Sequence, residues 1–267
     1  MDLIDPHVHM ISRTTDDYEA MAIAGIRAVI EPAFWLGQPR THPGTFYDYY
    51  DMITDWEPKR AANFGIHHYC CIGMNPRESN NVPLAKEVLA ELPRFLDRPN
   101  VVAVGEIGFD DITDAEEDSI RRQMEIAVEH DLPIMVHTPH INKARGTERT
   151  LKIVESLGLD QEKVLIDHNT EETIEMVKST DCWAGHTVYN ITKLSPERAV
   201  NIFEEYGTEK MLVNSSSDWG PSDPLNVPRT VHEMRRRGID DTLIRQLVWK
   251  NPIAFFGKSG RLDSSLQ

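Results

Sequence analysis

Short apolar runs rich in β-branched residues alternate with longer amphipathic stretches through most of the chain. This alternation is typical of strand–helix–strand units built around a parallel sheet. The predicted strands are Leu3 to His7, Ala28 to Glu31, Ile66 to Ile72, Val101 to Val104, Ile134 to Val136, Val164 to Ile166, Cys182 to Ala184 and Met211 to Val213. The predicted helices are Asp16 to Ala24, Tyr47 to Asn63, Leu84 to Leu96, Asp114 to His130, Thr147 to Leu157, Thr170 to Lys178 and Pro196 to Tyr206.

Eight strands that alternate with helices are best accommodated by an α/β fold of the (β/α)8 type, the TIM barrel. The chain has 267 residues with 40% hydrophobic content, which is ample for one large core. It contains no low-complexity stretch and no Gly/Ser-rich linker that would divide it. We therefore predict a single barrel domain over residues 1–258, followed by a polar tail over residues 259–267.

The charge and cysteine content narrow the classes of partner and compartment. A formal net charge of −15 disfavours nucleic acid and anionic membrane as partners, so an anionic substrate would need a local cation such as a metal. The three cysteines form no even disulfide framework, and we expect reduced, structural thiols in a cytoplasmic protein. We see no signal peptide and no apolar run approaching the ~20 residues of a membrane span.

The polar residues at the strand ends carry the candidate chemistry, because these ends converge on one face of a parallel barrel. In an extended segment side chains alternate, so His7 and His9 point the same way and could bind one metal ion. Each strand-end residue taken alone also fits an ordinary structural role. Together they form a ligand set that suits divalent first-row ions, and the sequence predicts a metal centre. Its predicted ligands are His7, His9, Glu106, His137, His168 and Asp218.

The order of these residues resembles the TatD-like metal-dependent hydrolases, a branch of the amidohydrolase superfamily. The segment Gly-Glu-Ile-Gly at 105–108 is the most specific match, and the closing segment at 251–257 is similar as well. The resemblance implies one or two divalent ions, with zinc, manganese, iron and magnesium as the candidates. It implies that His7, His9 and Asp218 hold one ion, that His137 and His168 hold the other, and that Glu106 bridges them. Asp218 would be the catalytic proton acceptor. We expect Asp167 to point to the opposite face and to be structural.

The chain departs from the nucleases of that family where substrate is bound. Asn75 replaces a histidine at the third strand end, Thr138 to His140 replace a Ser-Arg pair after His137, and Ser216 replaces a glutamate before Asp218. Four residues just past strand ends are candidates to bind substrate. They are Asn75, Arg77, His140 and His186.

The favoured function is a metal-dependent hydrolase that uses an activated water to cleave an ester, lactone, amide or phosphoester bond of a small molecule. The first alternative is a TatD-like deoxyribonuclease, which the net acidity and the substitutions at Asn75, Thr138 and Ser216 disfavour. A further alternative is a non-catalytic metal-binding barrel. A decarboxylase of the same superfamily is also open, because such enzymes share the His-x-His motif and the strand-end aspartate. The oligomeric state is not predictable from these patterns.

Overall fold

A computed structural model describes residues 1–266 and shows one sheet of eight parallel strands in the order of the chain, which confirms the predicted barrel. The strands are β1 Leu3–Asp5, β2 Ile26–Pro32, β3 His67–Ile72, β4 Val101–Gly108, β5 Ile134–His137, β6 Val164–Ile166, β7 Trp183–Thr187 and β8 Met211–Asn214. Just beyond the strand ends, Val8 forms a parallel bridge with Ser217 and joins the first and last strands. This contact brings the segment after β1 against the segment after β8.

Helices occupy the connections between the strands. They are α1 Thr15–Ile23, α2 Pro43–Asp51, α3 Glu57–Ala62, α4 Pro76–Ser79, α5 Val82–Glu91, α6 Pro93–Leu96, α7 Asp114–Glu129, α8 Lys143–Ser156, α9 Ile174–Lys178, α10 Pro196–Tyr206, α11 Asn226–Arg236, α12 Asp241–Arg245 and α13 Asn251–Phe256. None of the helices within residues 1–266 combines the length and the apolar character needed to cross a membrane.

Local sequence signals explain where several helices begin. The side chain of Thr113 accepts a hydrogen bond from the backbone of Glu116, whose carboxylate accepts one in return, and this capping box starts α7. Helix α2 begins at Pro43, four residues before the predicted start at Tyr47, because His42 caps it and proline is favoured in a first turn. A π-helical turn, Met52–Trp56, then separates α2 from α3 within the single helix predicted there.

Two buried apolar layers follow from the alternation of side chains along each strand. In β6, Leu165 packs inside the barrel, whereas Val164 and Ile166 face the helices. In β7, Trp183 packs inside and Ala184 faces outward. The interior below the strand ends is therefore filled by side chains, and the barrel is a packed core rather than a pore.

The segment predicted as a polar tail packs against the amino-terminal end of the barrel. Leu266 is only 4% exposed and belongs to the interior layer with Phe255 and Phe256 of α13. The guanidinium of Arg261 donates to the carbonyl oxygen of Val101 at 2.7 Å. Up to Leu266, this segment closes the end of the barrel opposite the predicted metal centre.

Candidate metal centre

The His-Val-His segment lies immediately after β1, where the bridge between Val8 and Ser217 holds the chain extended. Val8 is fully buried, and the two histidines project to the other side, as the alternation predicts. Nε2 of His7 lies 3.0 Å from Nε2 of His9. The ring of His9 stacks on Phe34 with 3.6 Å between the centroids, and Phe34 in turn stacks on Trp219 at 4.9 Å. Two imidazole nitrogens thus converge on one point.

A buried polar cluster supports the turn that follows His9. The carboxylate of Glu31 accepts from the backbone nitrogen of Ile11 at 2.9 Å and pairs with Nε2 of His68 at 2.7 Å. Nearby, Glu57 pairs with the guanidinium of Arg60 at 3.0 Å. Both glutamates are buried. These contacts fix the backbone within two residues of His9. The carboxylates of both glutamates already have protein partners.

Glu106 brings three histidines together at the end of β4. Its Oε2 lies 3.0 Å from Nε2 of His168, 3.3 Å from Nδ1 of His137 and 3.4 Å from Nε2 of His7. Burial raises the pKa of the Glu106 carboxyl, but the surrounding histidines outweigh burial and hold the pKa well below its usual range. An ionised carboxylate at the centre of three imidazoles is suited to bridge two cations.

A hydrogen-bond network behind the histidines sets which ring nitrogen carries the proton. Asp167 accepts from Nδ1 of His7 at 2.5 Å, and Nδ1 of His168 lies 2.6 Å from the hydroxyl of Thr187. That hydroxyl donates to the amide oxygen of Asn214 at 2.8 Å, so it accepts the proton of His168. The amide nitrogen of Asn214 donates to Asp167 at 3.0 Å. Both histidines therefore direct the lone pair of Nε2 toward Glu106.

The donor set fits a divalent metal ion. Ligand atoms of His7, Glu106 and His168 lie within 4.8 Å of one another, and all three residues are buried. Burial lowers the pKa of His9 and of His168 well below the ordinary value, so both rings are neutral and able to coordinate. Imidazole and carboxylate ligands suit zinc, manganese and iron in particular. These side chains lie at strand ends as the sequence indicated.

A pocket open to solvent lies above this cluster. Asp218 lines it from the β8 side, with its Oδ1 accepting from the backbone nitrogen of Gly220 at 2.8 Å and from the Tyr189 hydroxyl at 3.2 Å. Of the six predicted ligands, five line the pocket and His7 lies behind them. The five are His9, Glu106, His137, His168 and Asp218.

Three of the four predicted substrate-binding residues line the same pocket, namely Asn75, Arg77 and His140. The amide of Asn75 is already engaged, because its oxygen caps α4 by accepting from the nitrogen of Glu78 at 3.2 Å. Arg77 lies at the rim, where it pairs with Asp110 at 3.0 Å.

The placement predicted for His186 is wrong. His186 shares the outward face of β7 with Ala184 and is fully buried. Its ring meets that of Phe203 in α10 edge to face, with 5.3 Å between the centroids. The inward positions of β7 near the site belong instead to Gly185 and Thr187. Alternation along the strand therefore directs His186 away from the pocket.

Asp167 is the site residue for which the prediction also has to be corrected. Strand alternation predicts that it faces away from the site, because it precedes the ligand His168. His168 adopts φ +60°, so the backbone turns at this position and the side chains of both residues reach the interior. The sequence signal available was the acidic residue beside a candidate ligand, since metal-binding histidines usually donate to a carboxylate.

Comparison with known proteins assigns this arrangement to a recognisable group. A family model described as TatD related DNase matches residues 4–257. An uncharacterized metal-dependent hydrolase of Methanocaldococcus jannaschii is 34% identical over 257 residues, which cover 95% of this chain and 99% of that protein. The crystal structure of a TatD-like protein from Archaeoglobus fulgidus superposes with a TM-score of 0.79 at 27% identity, covering 95% of this chain and 99% of the other.

More distant structures share the fold. A phosphotriesterase homology protein from Escherichia coli, with phosphate in its active site, has a TM-score of 0.69 at 14% identity and covers 96% of this chain and 98% of the other. A lactonase from Listeria monocytogenes has a TM-score of 0.67 at 15% identity and covers 96% and 94%. These similarities extend the barrel assignment over nearly the whole chain.

Proposed function

Since the chain belongs to the TatD related DNase family and is a metal-dependent hydrolase, we propose that it cleaves an ester, lactone, amide or phosphoester bond of a small molecule. The observation that carries this proposal is Glu106, which lies among three imidazoles at the base of an open pocket. A set of ligands that opens on a cavity is typical of catalytic rather than structural metals. The hydrolase assignment replaces the non-catalytic barrel and the decarboxylase as alternatives.

The residues take the following roles in this proposal. His7, His9 and Asp218 would hold one divalent ion and His137 and His168 a second, with Glu106 available to both. Zinc, manganese, iron and magnesium are the candidates. When bound, such ions supply an activated water and polarise the bond to be cleaved.

Asp218 is the proposed catalytic proton acceptor. Its Oδ1 is held by the backbone nitrogen of Gly220 and by the Tyr189 hydroxyl, so the carboxylate has a defined orientation at the pocket wall. An oriented carboxylate can take the proton of the attacking water during bond formation. Tyr189 and Gly220 therefore act by positioning Asp218.

A deoxyribonuclease is the second candidate, because the family model that matches is one of DNases. Two observations favour a small molecule over DNA. The chain carries a net charge of −15, which repels a polyanion. Arg77, at the rim where a phosphate backbone would pass, is already paired with Asp110.

The proposal includes a reducing location such as the cytoplasm, which the three buried free cysteines support.

The test compares protein stripped by a chelator with protein reloaded with Zn²⁺ or Mn²⁺. The substrates are p-nitrophenyl acetate, a γ-lactone, p-nitrophenyl phosphate, bis-(p-nitrophenyl) phosphate and end-labelled single-stranded DNA. We expect metal-dependent turnover of at least one small substrate. Asp218→Asn should lower that turnover by about 10²-fold or more, as the loss of a general base does.

The matched control is Asp55→Asn, because Asp55 is an exposed aspartate paired with Lys59 on the outside of the barrel. It should leave turnover unchanged. If DNA is the one substrate cleaved, the deoxyribonuclease replaces the small-molecule hydrolase. If neither ion binds nor raises the melting temperature, the proposed metal centre is wrong.

A further inference from the structure

The loop after β7 is a tight turn that directs one lysine into the pocket. Val188 and Leu194 form a parallel bridge across its base, and the backbone nitrogen of Tyr189 donates to the carbonyl oxygen of Leu194 at 2.8 Å. The nitrogen of Lys193 donates to the oxygen of Tyr189 at 2.9 Å. The guanidinium of Arg198 donates to the carbonyl oxygen of Lys193 at 2.6 Å. The backbone of Lys193 is thus fixed on both sides.

The side chain of Lys193 lines the pocket together with Glu106, His168 and Asp218. It is half-buried, and its ammonium lies 5.6 Å from the centroid of the Tyr189 ring. Burial lowers the pKa of Lys193, while Glu106, Asp167 and Asp218 act in the opposite direction. The side chain of Lys193 therefore lies near the acidic groups of the metal centre.

Among the described residues, Lys193 has no close acidic partner, whereas Lys59, Lys152, Lys163, Lys210 and Lys258 form ion pairs. Within residues 1–266, no carboxylate oxygen lies within 4.0 Å of its ammonium. Exposed lysines such as Lys59 and Lys152 instead form ion pairs at 2.7 Å and 2.6 Å. Arg77, the other cation that lines the pocket, is paired with Asp110. In a chain with a large excess of acids, a half-buried lysine without a paired acid is available for an anionic ligand.

We propose that Lys193 binds a carboxylate or phosphate group of the substrate, so that the pocket selects small anionic molecules. This inference rests on the proposed function and adds a substrate class to it. A neutral substrate would displace water from the ammonium without supplying a charged partner in its place, which is unfavourable. An anionic group would gain a charge-assisted hydrogen bond that the protein does not otherwise supply. On so acidic a chain, this local cation also offsets the long-range repulsion of anions.

The first test measures binding without turnover. Calorimetric titrations of metal-loaded protein with inorganic phosphate and with succinate compare the natural chain with Lys193→Met and Lys193→Arg. We expect Lys193→Met to weaken binding of at least one anion about 10-fold or more, and Lys193→Arg to restore most of the affinity. Lys152→Met, which removes an exposed lysine, is the matched control and should have no effect. A weakening confined to one of the two anions identifies the group that Lys193 binds.

The second test separates charge recognition from a general effect on the site. p-Nitrophenyl acetate and p-nitrophenyl hemisuccinate differ by a free carboxylate, so Lys193→Met should raise KM about 10-fold for the hemisuccinate and leave that for the acetate unchanged. Unchanged affinity for both phosphate and succinate would overturn the proposal. Loss of bound metal in Lys193→Met would also overturn the proposal, because Lys193 would then stabilise the acidic metal ligands and not the substrate. The binding test can succeed even if no ester is hydrolysed, so the two proposals fail separately.

Discussion

The carboxylate of Asp167 lies 2.5 Å from Nδ1 of His7, with both side chains fully buried. Burial raises the pKa of Asp167, but His168 and His7 outweigh burial and hold it well below its ordinary range. The proton shared by the two groups therefore belongs to His7. As a result Nε2 of His7 keeps its lone pair for a metal ion, and the ring cannot rotate without breaking a charge-assisted hydrogen bond.

Replacing Asp167 by asparagine should weaken metal binding. In the natural chain the backbone nitrogen of His168 donates to Asp167 at 2.7 Å. In Asp167→Asn an amide hydrogen must face either this nitrogen or Nδ1 of His7. Either choice sets one donor against another and removes the charge. Loss of such an outer carboxylate typically costs 10- to 100-fold in metal affinity, and a competition titration with a chromophoric chelator measures it.

The control is Asp181→Asn, because Asp181 has a side chain that is 79% exposed and lies near Lys210 at the surface. It should bind metal like the natural chain. A metal affinity unchanged in Asp167→Asn, with circular dichroism unchanged, would show that the carboxylate does not control His7.

Gly185 provides an independent approach to the same carboxylate. A β-carbon added at Gly185 would lie 2.2 Å from Oδ1 of Asp167, far inside contact distance. Gly185→Ala should therefore displace Asp167 and lower metal affinity by at least as much as Asp167→Asn does, about 10-fold or more. Gly257→Ala is the matched control, because the nearest atom to its new β-carbon is a methyl group of Leu262 at 3.8 Å. Equal metal affinities in the two variants would contradict the role of Gly185.

The barrel and the approximate position of the site could be predicted because both depend on repetitive local patterns. Parallel strands that are covered on both faces appear in the sequence as continuous apolar runs. The ends of these strands converge on one face of the barrel regardless of the conformation of the loops. Glu106 and His137 lie close together because β4 pairs with β5, with Gly108 opposite His137 after a register shift between Val104 and Ile107. No knowledge of the loops was needed to bring these two residues together.

The remainder depended on single backbone angles and on packing between distant segments. The left-handed conformation of His168 has no signature in the residues around it, so the direction of the Asp167 side chain could not be predicted from strand alternation. The position of Lys193 depends on the bridge between Val188 and Leu194. Leu266 is an apolar residue in a Ser-rich segment, so the local sequence does not predict its burial. It is buried because it packs into the end of the barrel.

The cysteines should be unreactive in the folded protein. Burial raises the pKa of the Cys70 and Cys71 thiols well above the ordinary value and that of Cys182 to about 11. Because the thiolate is the reactive form, fewer than about 0.5 thiols per chain should react with Ellman's reagent within minutes at pH 8. All three should react in guanidinium chloride. Rapid reaction of the native protein would show that one of these thiols is accessible.

His186 should make the folded protein sensitive to acid. Burial lowers its pKa to about 4 and outweighs the opposite effects of Asp167, the Asn169 backbone and Glu171. Neither ring nitrogen makes a hydrogen bond in the folded protein within residues 1–266. The unfolded chain takes up a proton near the ordinary histidine pKa of about 6.5, whereas the folded chain does so only near 4. The stability associated with neutral His186 is therefore complete above pH 6.5 and is lost as the pH falls toward 4.

His186→Leu removes this titration and keeps an apolar contact with Phe203. At pH 7 the variant should be at least as stable as the natural chain, because two unpaired ring nitrogens are removed from the interior. By about pH 4.5 it should be more stable by a further ~2 kcal/mol, the linkage energy of one such histidine. Urea denaturation of the metal-free proteins from pH 7.5 to 4.5 measures this difference.

His232→Gln is the matched control, because His232 is exposed on α11 and water reaches its ring in both folded and unfolded chains. Its free energy of unfolding should follow that of the natural chain at every pH. Parallel curves for His186→Leu and the natural chain would mean that His186 finds a partner for its proton on acidification. A difference that widens below pH 6.5 would instead show that the outward face of β7 excludes the charged ring, and that His186 is a packing residue of the helix layer.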